Sequence, residues 1–150
     1  MAFDAFLKLD GIKGESQVKG FEGQIQIESF HWGVAEVISQ SGGGGGAVAG
    51  RPTRKDFLFT AASSLASPLL FQTCVNGKHI KEGTLTLRSA GGSQTNFSTI
   101  KLTDLLISAY DQAGDEDGNV PMDEVSINYT EIDFTYDGVS AHFDFTTLKA

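Results

Sequence analysis

The most constraining feature of this sequence is a period-two apolar pattern that changes phase within one run. Between residues 125 and 136 apolar side chains occupy odd positions first and even positions afterwards: Val125, Ile127 and Tyr129, then Ile132, Phe134 and Tyr136. Alternation predicts a strand with one buried face, and a change of phase predicts a bulge. The same switch occurs between Ile27 and Phe30, near Glu28 and Ser29. Two long strands that each bend once favour a closed or strongly curved sheet.

Other segments add to this sheet. Alternating or β-branched runs predict further strands at 5–9, Phe57–Thr60, Ile80–Ser89, Phe97–Leu102 and His142–Thr147. At 150 residues the chain has the length of one ordinary domain, and no linker divides it. We therefore predict a mainly β fold: residues 1–150 form a single, mostly antiparallel, barrel-like domain of two curved sheets with one short α-helix.

The one helix is predicted by its end signals. Ser67 is the expected N-cap, Pro68 suits the first turn, and Gly77 can adopt the left-handed conformation that closes a helix. Leu70 and Cys74 lie four residues apart, and Phe71 and Val75 form an adjoining stripe. Both stripes are expected to press against the sheet, which makes Cys74 a core residue and not a nucleophile.

Charge and composition exclude several classes of function. The formal net charge is -8, with 19 acidic and 11 basic residues, and Arg51, Arg54 and Lys55 form the only basic cluster. This balance disfavours nucleic acid as a partner. A single cysteine cannot form an intramolecular disulfide, so folding in the cytoplasm is expected. The acidic residues near the N-terminus do not resemble a secretory signal, and no run approaches the roughly 18 apolar residues of a membrane span.

The segment from Ser39 to Asp56 is the only low-complexity stretch and contains five consecutive glycines at Gly42–Gly46. Because these glycines carry no side chains to pack, we expect an extended loop at about 39–56. A long loop inside a compact domain is usually functional or becomes ordered by a partner. It is not a phosphate-binding loop, since Arg51 and Pro52 replace the required Lys and Ser or Thr.

No motif for catalysis or metal binding emerges. The segment beginning at Asp115 has the glycine and glutamate spacing of a calcium loop, but Pro121 interrupts it and its flanks are strand-like, so a solvated hairpin is predicted. His31, His79 and His142 lie on separate elements without metal-ligand spacing. No nucleophile elbow is present. The sequence therefore predicts a protein that is not an enzyme and needs no cofactor.

Several motifs taken together resemble the haemolysin-coregulated proteins (Hcp), which form the inner tube of the bacterial type VI secretion system. They are GIKGES at Gly11–Ser16, WG at Trp32–Gly33, ASPLLFQTCVNGKHI at Ala66–Ile80, LTLRSAGG at Leu85–Gly92 and DEVSINYTEIDFTY at Asp123–Tyr136. The resemblance covers nearly the whole chain. Two departures stand out: His31 replaces a frequent serine, and the C-terminal HFDFTTLKA lacks the usual Gly-Trp strand.

The resemblance implies a structural role. Six subunits would form a ring, rings would stack into a hollow tube, and a contracting sheath would expel the tube with a spike protein at its tip and small effectors in its lumen. The protein would be cytoplasmic before firing and secreted afterwards, without a signal peptide.

The resemblance also implies roles for particular residues. It makes the glycine-rich segment the ring-stacking loop, comprising Gly42, Gly43, Gly44, Gly45, Gly46, Ala47, Val48 and Ala49. Phe30, Trp32 and Val34 share the expected core side of their strand, which leaves His31 pointing outward. The resemblance implies that this outward face lines the lumen, where His31 would contact an effector; the alternative is a solvated histidine without a role. Two alternatives stay open: a tail-tube protein of a phage-like contractile injection system, and a small-ligand-binding β-barrel.

Overall fold

The computed structural model describes residues 2–40, 46–91 and 93–150. It contains eight strands and one helix in these residues. In chain order the elements are β1 (Phe3–Leu9), β2 (Ile25–Ile27), β3 (Ser29–Gln40), β4 (Ala47–Ala62), α1 (Ala66–Asn76), β5 (Ile80–Ser89), β6 (Asn96–Ala113), β7 (Met122–Tyr136) and β8 (Val139–Asp144). The predicted mainly β architecture with one short helix is confirmed.

All eight strands belong to one antiparallel sheet with the order β2-β1-β5-β6-β7-β4-β3, and β8 pairs with the second half of β7. The two sheets of the predicted barrel are therefore a single continuous sheet. Strands β2 and β3 are consecutive in sequence but lie at opposite ends of that order. Glu28 joins them, and its N–H donates to the carbonyl of Thr60 at 2.8 Å. The sheet thus curls until its ends meet at one residue, without closing.

The predicted change of phase in residues 125–136 is confirmed, and neighbouring strands share it. The buried positions of β7 shift between Tyr129 and Ile132, and those of β6 shift at the same level, between Leu102 and Leu105. Asp104 lies at this corner with φ 55°, and its carbonyl accepts a hydrogen bond from the Thr130 hydroxyl at 3.2 Å. The second change of phase, near Glu28, coincides with the end of β2 and the start of β3, and it is not a bulge within one strand.

The interior is filled by side chains. The largest fully buried residues of the core include Phe57, Phe59, Leu70 and Tyr129. Phe6 is also buried, but on the opposite face of β1 from Ala5 and Leu7, where the ring of Phe21 stacks on it. A side-chain core of this kind stabilises the curved sheet by burial of apolar surface, and it occupies the space in which a ligand-binding barrel would hold its ligand.

Helix α1 confirms one predicted end and corrects the other. Gly77 closes the helix with φ 60°, and its N–H donates to the carbonyl of Cys74 at 3.2 Å. Ser67, the predicted N-cap, lies inside the helix, which begins at Ala66 after Leu65. The Ser67 hydroxyl donates to the buried carboxylate of Asp123 instead, a partner from a distant part of the sequence.

One of the two predicted apolar stripes of α1 faces solvent. Leu70 is buried and Cys74 packs against the core, as expected. Phe71 and Val75, however, are 53% and 63% exposed. The helix sequence is apolar on more than one side, so periodicity alone could not show which side contacts the sheet.

The segment predicted as an extended loop at about 39–56 is mostly strand. Ser39 and Gln40 end β3, and the residues from Ala47 onwards belong to β4. The two strands pair up to Gln40 and Ala47, which makes this part of the chain a β-hairpin. Residues 41–45, with Gly42, Gly43, Gly44 and Gly45, lie outside the described residues. Backbone pairing with β3, which composition does not reveal, decides the conformation of 47–56.

Candidate functional site

His31 lies on the outer face of the sheet. It is exposed, it pairs with Leu58 of β4, and Leu58 in turn pairs with Ser126 of β7. Phe30 and Trp32, on either side of His31, are half-buried and pack against the core. His31 therefore points away from Phe30 and Trp32, as the alternation predicts, whereas Val34, expected on the core side, is 53% exposed. A register shift between His31 and Gly33 interrupts the alternation before Val34 is reached.

The same face carries a network of hydroxyl and amide groups around Asp56. The hydroxyls of Ser108 and Ser126 donate to Asp56 Oδ2 at 2.7 and 3.2 Å, and the Asn128 amide donates to Oδ1 at 3.1 Å. Partial burial acts to raise the pKa of Asp56, but these hydrogen bonds outweigh it and hold the pKa below its usual value of 3.8. The network keeps Asp56 ionised and makes the face around His31 polar.

The other two histidines occupy different places. His79 Nδ1 lies 2.8 Å from Asp104 Oδ1, and His142 Nε2 lies 3.6 Å from Glu131 Oε1. His31, His79 and His142 are not brought together. Among residues 2–40, 46–91 and 93–150, no group of three or more His, Cys, Asp or Glu side chains is arranged to hold a metal ion.

The predicted stacking residues lie at the end of the β3–β4 hairpin. Gly46 is exposed and precedes β4, whereas Ala47, Val48 and Ala49 pair with Gln40, Ser39 and Ile38. On the opposing strand, Val37 and Ile38 are 54% and 63% exposed. Gly50 sits at a close approach, since a Cβ at this position would lie 2.6 Å from the Val37 carbonyl oxygen. The hairpin therefore forms an arm that carries exposed apolar side chains. We refer to residues 34–40 and 46–55 as the arm.

A buried carboxylate is the main feature that sequence reasoning missed. Asp123 is 2% exposed and accepts hydrogen bonds from the hydroxyls of Ser63, Ser67 and Tyr110. Burial, and then the hydrogen bond to Asp123, raise the pKa of Tyr110. The cluster ties the start of α1 to β6 and β7. Asp123 occupies one of the alternating buried positions of β7, and this position is the only feature of the sequence that indicates its burial.

The solvated-hairpin prediction for the segment after Asp115 is confirmed. Residues 114–121 connect β6 to β7 and are exposed throughout. Asp115 Oδ1 accepts hydrogen bonds from the backbone N–H groups of Asp117 and Gly118 at 2.8 and 3.1 Å. The carboxylate therefore shapes a turn of the backbone. In the described part of the chain, no helix combines the length and the apolar character required to cross a membrane.

The fold and the sequence together define a class of protein. Residues 6–136 match the family described as type VI secretion system effector, Hcp. The chain belongs to this family. It is 32% identical to protein hcp1 of Pseudomonas aeruginosa over 137 residues. This aligned region covers 91% of this chain and 84% of that protein.

Solved structures agree with this assignment. The chain is similar to Hcp1 from Salmonella typhimurium, with a TM-score of 0.86, 28% identity and 99% of both chains covered. It is also similar to a type VI secretion system effector from Yersinia pestis, with a TM-score of 0.79 and 32% identity over 94% of this chain and 99% of that one. The resemblance inferred from the motifs is confirmed.

Proposed function

We propose that the chain is a structural inner-tube subunit of a type VI secretion system that forms stacked hexameric rings. The observation that carries this proposal is the similarity to Hcp1 from Salmonella typhimurium along 99% of both chains, including the curved sheet and its one helix. Similarity over a part of the fold would support the fold class alone, whereas full-length similarity with 28% identity supports a shared role.

Ring formation would cover the open edges of the sheet. The sheet does not close on itself, and both β3 and β8 end it with an edge. Strand edges expose unpaired backbone groups and invite association with another chain. A cyclic arrangement of identical subunits hides such edges when the rotation between neighbours closes the ring.

The face around His31 is the candidate lining of the lumen. It is rich in hydroxyl and amide groups, it is polar at Asp56, and His31 contributes a titratable side chain to it. Six copies would form a circle of imidazoles able to contact a small effector. The residues Gly42 to Ala49, the last four of which belong to the arm, are assigned to contacts between rings. Secretion would follow expulsion of the tube by a sheath, with a spike protein at the tip.

The filled interior favours this role over a small-ligand-binding barrel. Phe57, Phe59, Val125, Ile127 and Tyr129 have no exposed surface and belong to one apolar core cluster. A phage-like tail tube would share the ring architecture. The named relatives favour the secretion system over that alternative.

Sedimentation velocity with electron microscopy of the purified chain tests the proposal. We expect a species with the mass of six subunits and ring-shaped particles with an open centre. A folded monomer across the micromolar range would overturn the ring and, with it, the tube.

A further inference from the structure

One end of the curled sheet carries four aromatic side chains that are only partly buried. Phe3 and Tyr136 are 47% and 55% exposed, while Phe30 and Phe97 are half-buried and pack against the core. The four residues belong to β1, β3, β6 and β7, and they line an open cavity of about 610 Å³. We call this cavity the aromatic mouth.

Strand pairing explains why these rings meet. Phe3, at the start of β1, pairs with Ser89 at the end of β5. Asp137 follows the last residue of β7, and its N–H donates to the carbonyl of Phe97, near the start of β6, at 2.8 Å. Since β1, β5, β6 and β7 are neighbours in an antiparallel sheet, these strand ends lie together at one edge of it.

The rings form walls around the cavity and do not stack on one another. The plane of Phe3 makes angles of 64° with Phe30 and 80° with Phe97, at centroid distances of 6.3 and 6.2 Å. The planes of Phe97 and Tyr136 make an angle of 70°, with centroids 5.8 Å apart. Two nearly perpendicular rings about 6 Å apart can each place a face within about 6 Å of the same cation, which is the range of a cation–π interaction. Aromatic cages of this kind bind quaternary ammonium groups.

The charge of the aromatic mouth also favours a cation. Asp137 lines the cavity, and none of the described residues that line it is Lys or Arg. Asp137 is exposed, and no cationic side chain in the described part of the chain forms an ion pair with it. A carboxylate beside aromatic walls attracts a cation and repels an anion.

The aromatic mouth lies outside the filled interior. Leu87 lines the cavity and is itself a buried core residue. Phe30 stacks on the fully buried ring of Phe57, with centroids 6.2 Å apart. The core therefore forms the floor of the cavity, and a ligand at the rim displaces no core side chain. The mouths of curved sheets are frequent places for small-molecule sites.

We propose that the aromatic mouth binds a small organic cation that carries a trimethylammonium group. The methyl groups contact the rings of Phe3, Phe97 and Tyr136, and Asp137 supplies the opposite charge. Free choline carries this group, and so does the headgroup of phosphatidylcholine. The site uses neither His31 nor the arm, so this inference goes beyond the proposed function and does not depend on it.

Ligand-observed nuclear magnetic resonance on the full chain tests the proposal. Choline is titrated and compared with its uncharged carbon analogue, in which a tert-butyl group replaces the trimethylammonium group. The two compounds have the same shape, so burial of apolar surface contributes equally to both. Choline should bind at least about tenfold more tightly, because only the charged compound gains the cation–π interactions and the attraction of the carboxylate.

Two substitutions of Tyr136 separate the effect of an aromatic ring from that of apolar bulk. Tyr136→Leu should weaken choline binding at least about fivefold, whereas Tyr136→Phe should preserve it, because the ring and not the hydroxyl faces the cation. Asp137→Asn should weaken the binding of choline and not that of the analogue, and asparagine tolerates the φ of 48° at this position.

Phe71→Leu is the matched control. It removes an exposed ring from α1, which does not line the aromatic mouth, so choline binding should be unchanged. Circular dichroism of each variant checks that the fold is kept, as expected for substitutions at exposed positions.

Three results would each overturn the cation site: no binding of choline, equal binding of choline and its analogue, or choline binding that Tyr136→Leu leaves unchanged. Cosedimentation with phosphatidylcholine vesicles that Tyr136→Leu abolishes would support the site and assign it to a lipid headgroup. Binding of free choline without such cosedimentation would support the site and assign it to a soluble ligand. Ring formation is measured separately by sedimentation velocity, so failure of the proposed function is distinguishable from failure of this site.

Discussion

The hydroxyl of Tyr110 donates a hydrogen bond of 2.9 Å to Oδ1 of Asp123, a carboxylate that is almost completely buried. The Ser63 hydroxyl donates to the same oxygen at 2.7 Å, and Ser67 donates to Oδ2. A buried carboxylate is tolerated only when hydrogen bonds replace its hydration. The three hydroxyls therefore act together, and they fix α1 against the ends of β6 and β7.

Replacing Asp123 with Ala should lower the free energy of unfolding by about 2–4 kcal/mol, because hydrogen bonds to a charged group are lost and a buried hydroxyl is left without its acceptor. Urea denaturation at one fixed protein concentration measures the change. Asp117→Ala is the matched control, since Asp117 is exposed, and it should change stability by less than about 0.5 kcal/mol. Equal losses in the two variants would contradict a structural role for the cluster.

Stability should fall in alkaline solution because of Tyr129. Tyr129 is fully buried, its hydroxyl donates to the Lys55 carbonyl at 2.9 Å, and burial raises its pKa from 10.0 to about 12. The folded state favours the neutral phenol, so this contribution is complete below pH ~10 and is lost as the pH rises towards ~12. The difference between these two pKa values corresponds to roughly 3 kcal/mol.

Denaturation curves between pH 9 and pH ~12 test this expectation. Tyr129→Phe should flatten the alkaline decline, while Tyr136→Phe should leave it unchanged, because Tyr136 is 55% exposed. The assignment to Tyr129 is rejected if both variants decline as steeply as the original chain.

Gly14 should not tolerate a side chain. A Cβ at this position would lie 2.5 Å from the Gln24 carbonyl oxygen, and the Gly14 N–H donates to the Gly23 carbonyl at 2.8 Å. Gly14→Ala must move backbone, so a loss of roughly 1–3 kcal/mol is expected. Gly114→Ala is the control, since its Cβ would meet Pro121 at an ordinary 3.5 Å. Thermal unfolding of both variants measures the two changes in stability.

Deleting Gly42 to Ala49 should spare the rings and abolish their stacking. Within β4, Ala47–Ala49 lie outside the segment Phe57–Ala62 that pairs with β7, so the deletion takes little from the core. Sedimentation velocity should show intact rings, and micrographs should show no tubes. A folded monomer, identified by native circular dichroism, would mean that the arm closes the ring instead.

Replacing His31 with Asp should keep the ring and reduce co-purification of a luminal effector, since it reverses the charge that an imidazole can carry. Gln72→Asp is the control, because Gln72 is exposed and lies on α1, not on a strand of the sheet that carries His31. Effector recovery is measured on intact rings of the original chain and of each variant. Unchanged recovery in the His31→Asp variant would remove His31 from the effector contacts.

Local patterns in the sequence already indicated a part of most strands, though not their full length, together with the bend in residues 125–136 and the closure of α1 at Gly77. These features depend on neighbours in the chain: alternation sets which side chains share a face, and glycine permits φ > 0. The family resemblance was accessible for the same reason, since its motifs are short strands and turns.

Tertiary structure alone decided the rest. Whether Phe71 is buried depends on which side of α1 meets β6, and the conformation of 47–56 depends on pairing with β3. The acceptor for the Ser67 hydroxyl lies 56 residues away in sequence, at Asp123. Burial and pairing depend on which element lies across the sheet, and the periodicity of the sequence does not identify that element.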